Sequence, residues 1–455
     1  MQRILRVRSL EPIWILIFTS MCVTMAVAPV MAWEREPLTA FQQRRAQLAN
    51  ETVDGIVVLY GYDETDVAAA TTPFRQNENF YYLTGWNQPG AKMMIIPPAA
   101  GASTPTQILF IPPRDKSQER WTGPRLDPKD SSVSALTGFL IVMSEKRFPS
   151  QLQKALKRFG KVYTELTPQP ESGEEDFQRD EVASLRKLAP SATFADLRPL
   201  VTSMRMVKSP GEIALIRKAV KSSMDAQLAA MKAVHPGMWE YQAAALIKYV
   251  FESEGCEWPS YPPIVGSGFN STVLHYDDDS SQMQTGDVVV IDAAGSYSGY
   301  ASDITRTLPV NGHYSARQLE IYNVVLGAQR AAIAAARPGA YVSGAHHPAS
   351  LNQVARDYIN SHGHDLQGGR LGKYFIHGLS HPVGLNVHDP FIPDRPLEPG
   401  MIVTIEPGVY IPEENIGVRI EDMILITPSG AEVLTQSLPK QPEEIENIMA
   451  QSRKP

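Results

Sequence analysis

Short apolar runs set the rhythm of this chain. After a helical stretch around residues 37–50 come "GIVVLYG" (55–61), "AKMMIIP" (91–97) and "QILFIP" (107–112), each closed by glycine or proline. A helix at about 149–159 and the short strand "KVYTE" (161–165) follow. Strand-length apolar runs mixed with helical periods predict an α/β layer with its own core. The acidic, turn-rich "TPQPESGEEDF" (167–177) reads as a surface loop near its end. A second unit opens at "KSPGEIALIRKA". Ser209 can cap a helix, Pro210 suits its first position, and Glu212 completes a capping box. Ile213, Ile216, Val220, Met224 and Leu228 then keep helical spacing. The boundary falls within 190–208, dividing the chain into domains at 33–200 and 201–455.

The second unit repeats itself. One long helix ends at "AVHPGM" (233–238) and another at "AARPGA" (335–340), so that Pro236 and Pro338 stand 102 residues apart. Each is followed by another helix and then by strands. The strands "GDVVVID" (286–292) and "GMIVTIE" (400–406) match best, with a glycine opening an apolar run and a carboxylate six residues after it. This predicts two copies of one α/β unit about a pseudo-twofold axis, delivering Asp292 and Glu406 to a shared centre. A chance likeness between short apolar strands is the competing explanation.

Each copy holds a second carboxylate that reads as lying on a following strand: Asp303 in "YASDITRT" and Glu421 in "GVRIEDMI". An ionised carboxylate in an apolar strand costs several kcal/mol unless it is paired or bound to metal. One such residue alone is more often a buried salt bridge. Four together, with His377, His381 and His388 in "FIHGLSHPVGLNVHDP" (375–390), fit a metal centre better than four accidents. Two divalent cations would neutralise four carboxylates. Oxygen donors with one imidazole favour Mn²⁺, with Co²⁺ or Zn²⁺ by replacement. Two such ions roughly 3.5–4 Å apart can hold a shared hydroxide and polarise a carbonyl, which is machinery for hydrolysis.

Composition changes this picture little. A hydrophobic share of 43%, a charged share of 20% and a formal charge of −7 describe an ordinary globular protein without a basic block for nucleic acid. The N-terminus departs from that average. Arg3, Arg6 and Arg8 precede an apolar run from Ile13 to Met31, and Val30-Met31-Ala32 offers a small-residue exit. Residues 1–32 thus read as a signal peptide leaving Trp33 first, and the protein as exported, periplasmic or secreted. Retention of the segment would make it a membrane anchor instead. Cys256 is the single cysteine beyond that segment, so no internal disulfide or cysteine-based metal site can form there. "DDD" (277–279) lacks the ligand order of a calcium loop and reads as a solvated turn.

The quoted residues resemble the metal ligands of the pita-bread metallopeptidases, and the chain is similar to the aminopeptidase P family. "SYPPIVGSG", "LHYDDD", "VVIDAAGSYSGYASDITRT", "HGLSHPVGLNVHD", "TIEPGVY" and "GVRIEDM" carry the likeness, and "FRQNENFYYLTGW" (74–86) extends it into the first domain. The resemblance implies an α/β N-terminal domain before an α+β pita-bread catalytic domain. It implies that Asp292 binds one ion, Asp303 and Glu421 bridge two, and His381 and Glu406 serve the second. Glu406 would help deprotonate the bridging water, His275 would face the developing oxyanion, and His388 would contact the scissile region. His377 would be a further site residue and Arg419 would steady a ligand carboxylate. Arg395 is the candidate contact to peptide beyond the first proline.

The activity so implied is release of the N-terminal residue from peptides with proline second, by a homo-oligomer. A prolidase acting on Xaa-Pro dipeptides would use the same centre. A methionine aminopeptidase would not need the separate first domain. A non-catalytic pita-bread binding module would be expected to lack ligands, whereas all five positions are filled here.

Overall fold

In the computed structural model the first apolar run becomes strand β1 (Ile56–Tyr60), whose alternation sorts side chains between two cores. Ile56 and Val58 face one cluster, Val57 and Leu59 the other. The structure describes residues 33–63, 74–98, 104–166, 177–344 and 346–452. The signal-peptide reading of 1–32, and all but the last residue of the loop at 167–177, lie outside them. Among the described residues no helix is long and apolar enough to cross a membrane.

The first part of the chain is a mixed sheet flanked by helices. Helix α1 (Leu38–Glu51) precedes β1, and α2 (Glu78–Thr84) leads to β2 (Lys92–Ile96) and β3 (Thr106–Ile111). Two short helical turns, α3 (Glu119–Thr122) and α4 (Val133–Thr137), lead to β4 (Ile141–Ser144). The chain continues through α5 (Phe148–Leu156), β5 (Lys161–Thr164), α6 (Phe177–Leu188) and β6 (Thr193–Asp196). The six strands are ordered β4-β3-β2-β1-β5-β6. Phe148 and Leu152 of α5 and Leu185 of α6 cover one face. The other face joins α1, α2 and the core of the second part of the chain in a single apolar cluster that runs from Leu48 to Met449. Helix α7 (Arg198–Met206), which contains residue 200, carries the chain across.

Helix α8 (Pro210–Ala233) begins with the expected capping box between Ser209 and Glu212. Of the stripe read from the sequence, Ile216 and Val220 are buried as expected, beside Leu215 and Met231. Ile213, Met224 and Leu228 lie at its flank, while Ala219, Ser223, Ala226, Gln227 and Ala230 face inward. Small residues let the helix lie close on the sheet beneath it.

Helix α9 (Glu240–Ser253), β7 (Trp258–Pro259) and β8 (Ile264–Ser267) lead to β9 (Val288–Asp292), β10 (Gly295–Ser296) and β11 (Thr305–Pro309). The second copy has α10 (Ala316–Ala335), α11 (Leu351–His362), β12 (Ile402–Ile405), β13 (Gly408–Ile411), β14 (Ile416–Arg419), β15 (Asp422–Thr427) and β16 (Gly430–Val433), before α12 (Pro442–Ser452). Sheets β11-β9-β8 and β12-β15-β16 are both antiparallel, and β13 and β14 form a hairpin. Asp292 closes β9 and Glu406 follows β12 directly. Asp303 and Glu421, expected on strands, instead stand just ahead of β11 and β15. Glu421 donates its N–H to the Thr305 carbonyl of the other copy at 3.1 Å, which draws it off its own ladder. The Asp303 N–H meets the Met423 sulfur at 3.2 Å.

Candidate metal centre and active site

The carboxylates reach the centre because amides hold their strands. Gln227, buried on α8, donates through Nε2 to the carbonyls of Ile291 (3.2 Å), Ala293 (3.3 Å) and Ile304 (2.9 Å). These carbonyls flank Asp292 and follow Asp303. Gln329, buried on α10, donates in the same way to Ile405 (3.4 Å) and Ile420 (3.0 Å), which precede Glu406 and Glu421. The 102-residue offset between Pro236 and Pro338 relates these glutamines too. A polar residue at the same place in both helices was the available signal, and sequence reasoning missed it.

Single ligand atoms of Asp303, His381 and Glu421 lie within 4.8 Å of one another. His381 Nε2 is 3.3 Å from both Asp303 Oδ2 and Glu406 Oε1. Its Nδ1 lies 3.2 Å from the Pro382 carbonyl and donates there, which leaves Nε2 as the ring atom turned to the carboxylates and to a metal. Thr404 Oγ1 donates to Glu406 (3.2 Å) and Thr305 Oγ1 to Glu421 Oε2 (2.7 Å). Glu421 Oε1 is buried without a hydrogen-bond partner among the described residues. An orphaned carboxylate oxygen among hard donors and one imidazole is the chemistry of a divalent metal site, and the residues fit one.

Electrostatics say the same. Burial pushes Glu406 up to about 8, with His381 opposing and Asp303 adding to the rise. Burial, then the Asp303 charge, holds Glu421 well above the usual carboxylate range. Asp292 is raised by burial and by Asp303, although Arg419 opposes it. Burial works against a charged His381, but its bond to Asp303 and the charges of Asp303 and Glu406 lift it to about 9. This centre is short of positive charge.

Tyr261, in "SYPPIVGSG", was missed as a site residue because a tyrosine in a proline-rich loop has no distinguishing pattern. Its hydroxyl lies 2.5 Å from both Asp292 Oδ1 and Asp303 Oδ1. Arg419 donates to Asp292 Oδ2 at 2.7 Å and to the Tyr410 hydroxyl at 2.9 Å. The Tyr410 hydroxyl in turn reaches His377 Nε2 at 2.8 Å, while His377 Nδ1 meets the Gly378 carbonyl at 2.8 Å. Burial and then the Arg419 charge lower His377 to about 4, keeping the ring neutral. His377 therefore supports Asp292 through Tyr410 and Arg419.

The five expected ligands, with His275, His377, His388 and Arg419, all line one cavity of about 530 Å³. His275 and His388 are exposed there, and burial followed by His381 lowers His388. Arg395 is not among the described lining residues. It donates to Glu398 and to Ser203 Oγ, each at 2.8 Å, beside a separate cavity of about 90 Å³. The "DDD" reading also needs correction at one position. Asp279 is buried and accepts the Val265 N–H at 2.9 Å, and burial pushes it up to about 7. Its left-handed backbone, φ 47°, turns it inward while Asp277 and Asp278 stay exposed.

Residues 214–428 match metallopeptidase family M24, and residues 41–163 match the aminopeptidase P N-terminal domain. The chain is 37% identical over 446 residues to the Xaa-Pro aminopeptidase of Escherichia coli K12, covering 91% of this chain and 98% of that protein. The chain belongs to the Xaa-Pro aminopeptidase group of the M24 metallopeptidases. Its backbone superposes on aminopeptidase P from E. coli with the inhibitor Pro-Leu at a TM-score of 0.80 and 34% identity, covering 93% of this chain and all of that one (100%). An Xaa-Pro dipeptidase of Pyrococcus horikoshii is 38% identical, but over only 260 residues, 56% of this chain and 70% of that protein. This M24 enzyme thus has the two-domain architecture expected, with a pita-bread catalytic domain.

Proposed function

We propose that this enzyme releases the first residue from peptides whose second residue is proline, using two divalent ions, Mn²⁺ by preference. The observation that carries this reading is the convergence of Asp303, His381 and Glu421 on one point of an open cavity. Asp292 would bind the first ion, His381 and Glu406 the second, with Asp303 and Glu421 between them. Ions bound there would supply Lewis acidity and lower the pKa of water.

The chain's own groups do the rest. Arg419 orients Asp292 and opposes the rise that burial and Asp303 impose on its pKa. The Glu406 carboxylate, steadied by Thr404, stands beside His381 ready to hold a proton. His275 and His388, exposed at the cavity, can face the developing oxyanion and the departing nitrogen. A proline nitrogen offers no amide N–H, and a centre that acts on the carbonyl needs none.

Product analysis with added Mn²⁺ tests the reading. Xaa-Pro tripeptides should lose their first residue, with little cleavage when alanine replaces proline. A preference for free Xaa-Pro dipeptides would move the assignment to prolidase, and equal cleavage of Xaa-Ala and Xaa-Pro would defeat both. The reading extends to export through residues 1–32 and to a homo-oligomer. Trp33 at the N-terminus of periplasmic or secreted material would bear out the first, whereas an intact N-terminus in the membrane fraction would show an anchor.

A further inference from the structure

His388 enters the cavity with little support of its own. Its imidazole makes no hydrogen bond among the described residues and lies edge-on to His381, ring centroids 4.2 Å apart. A ring without its own partner goes where its backbone carries it. That backbone, Leu385–Asp389, is gripped from outside the catalytic fold.

Three side chains of the N-terminal domain take part. Arg75 Nη2 donates to the Leu385 carbonyl at 2.8 Å. Glu78 Oε1 accepts from Asn386 Nδ2 at 3.3 Å and pairs with Arg75 at 3.2 Å. Asn79 Oδ1 accepts from Arg205 Nη1 at 2.7 Å, and Arg205 Nη2 donates to Asp389 Oδ1 at 2.6 Å. Asn79 is itself fixed by a bond to Glu165, just past β5. Lys208 adds a second cation 3.3 Å from Asp389. Inside the loop, Asn386 N–H donates to Asp389 Oδ1 and His388 N–H to Asn386 Oδ1, each at 3.2 Å. Gly384 completes the turn, since a Cβ there would strike the Asp389 carboxylate. Each of these bonds to the loop thus falls within three residues of His388.

We propose that Arg75, Glu78 and Asn79 are positioning residues for peptide cleavage: through the Leu385–Asp389 loop, the N-terminal domain holds His388 against the scissile bond. This rests on the role given to His388 above. Arg75 and Glu78 are partly exposed, with side chains 36% and 26% accessible, so their pairing adds little stability. Geometry is the more sensitive quantity, because a misplacement of about 1 Å in a reacting group can cost about 10²-fold in rate.

A kinetic cycle on an Xaa-Pro tripeptide with Mn²⁺ tests this, using the full-length enzyme. Arg75→Ala should lower kcat about tenfold, within that geometric range, while KM, metal content and urea midpoint stay near wild type. Glu78→Ala should behave alike, and Glu78→Gln, which keeps the acceptor for Asn386, should restore most of kcat. His388→Ala should cost about 10²–10⁴-fold, and adding Arg75→Ala to it should cost nothing more. Multiplicative losses in the double variant, or an unchanged kcat in Arg75→Ala, would overturn the brace while leaving the role of His388 standing. An unchanged kcat in His388→Ala alone would remove that role, and the brace with it.

Discussion

Glu421 and Asp422 are neighbours in sequence, both buried, and electrostatically opposite. Asp422 receives Arg306 at 2.9 Å, with Lys440 and Thr435 also bonded to it, and although burial opposes its charge these cations hold it below the usual carboxylate range. Glu421 faces the other side of the chain, its carboxylate receives only the Thr305 hydroxyl among the described residues, and burial and Asp303 push it up. Asp389, with Arg205 and Lys208, repeats the first arrangement. The fold knows how to neutralise a buried carboxylate with its own cations. At the centre it brings Arg419 to Asp292 and His381 to Asp303 and Glu406, and it leaves Glu421 to be raised by burial and by its carboxylate neighbours. That difference separates a structural charge from a ligand.

The comparison breaks most visibly at the ligands. Asp303→Ala or Glu421→Ala should strip the centre and lower kcat/KM by more than the roughly 10–100-fold typical of residues behind a ligand. Elemental analysis beside the assay checks this; two metals per chain at near wild-type activity would erase the contrast. Next in size, Asp422→Asn should retain metal but lose about 3–5 kcal/mol of stability in urea unfolding, since Arg306 and Lys440 stay buried without their partner. Loss of metal at unchanged stability would place Asp422 with the ligands.

The smallest effect concerns pH. Burial opposes a charged Asp389, yet Arg205 and Lys208 hold its folded pKa below the usual value. A depressed carboxylate adds stability that is full above its unfolded pKa, about 3.9, and is lost as pH falls towards the folded value. Asp389→Asn should therefore flatten the decline of Tm with acidification below about pH 4, the region set by that unfolded value. An acid limb as steep as wild type would show that the pair contributes no such linkage.

Much of this was legible in the chain. Runs such as "GIVVLYG" and the box at Ser209 and Glu212 are local signals, and they folded as local signals do. The repeat was visible because each copy must deliver a carboxylate at the end of an apolar strand. What stayed hidden depended on contacts between distant segments. Asp303 and Glu421 leave their strands because of Met423 and Thr305, more than 100 residues away. Tyr261 matters only because β9 and the Asp303 loop converge on its hydroxyl. Asp279 reads as one of three solvated acids, and only its left-handed turn sets it apart.

The paired amides have a consequence for how the centre is loaded. Gln227 ties together the two carboxylate-bearing segments of one copy, and Gln329 those of the other. Arg419 to Asp292 and Thr305 to Glu421 then stitch the copies to each other. None of these bonds runs through an ion, so the chain's own groups aim the carboxylates. A chain with so continuous a core does not need a metal as its folding energy, as small metal-dependent domains do. Exchange of one divalent ion for another should then leave the backbone unmoved, and selectivity would rest on charge and donor softness, set by the medium as much as by the chain.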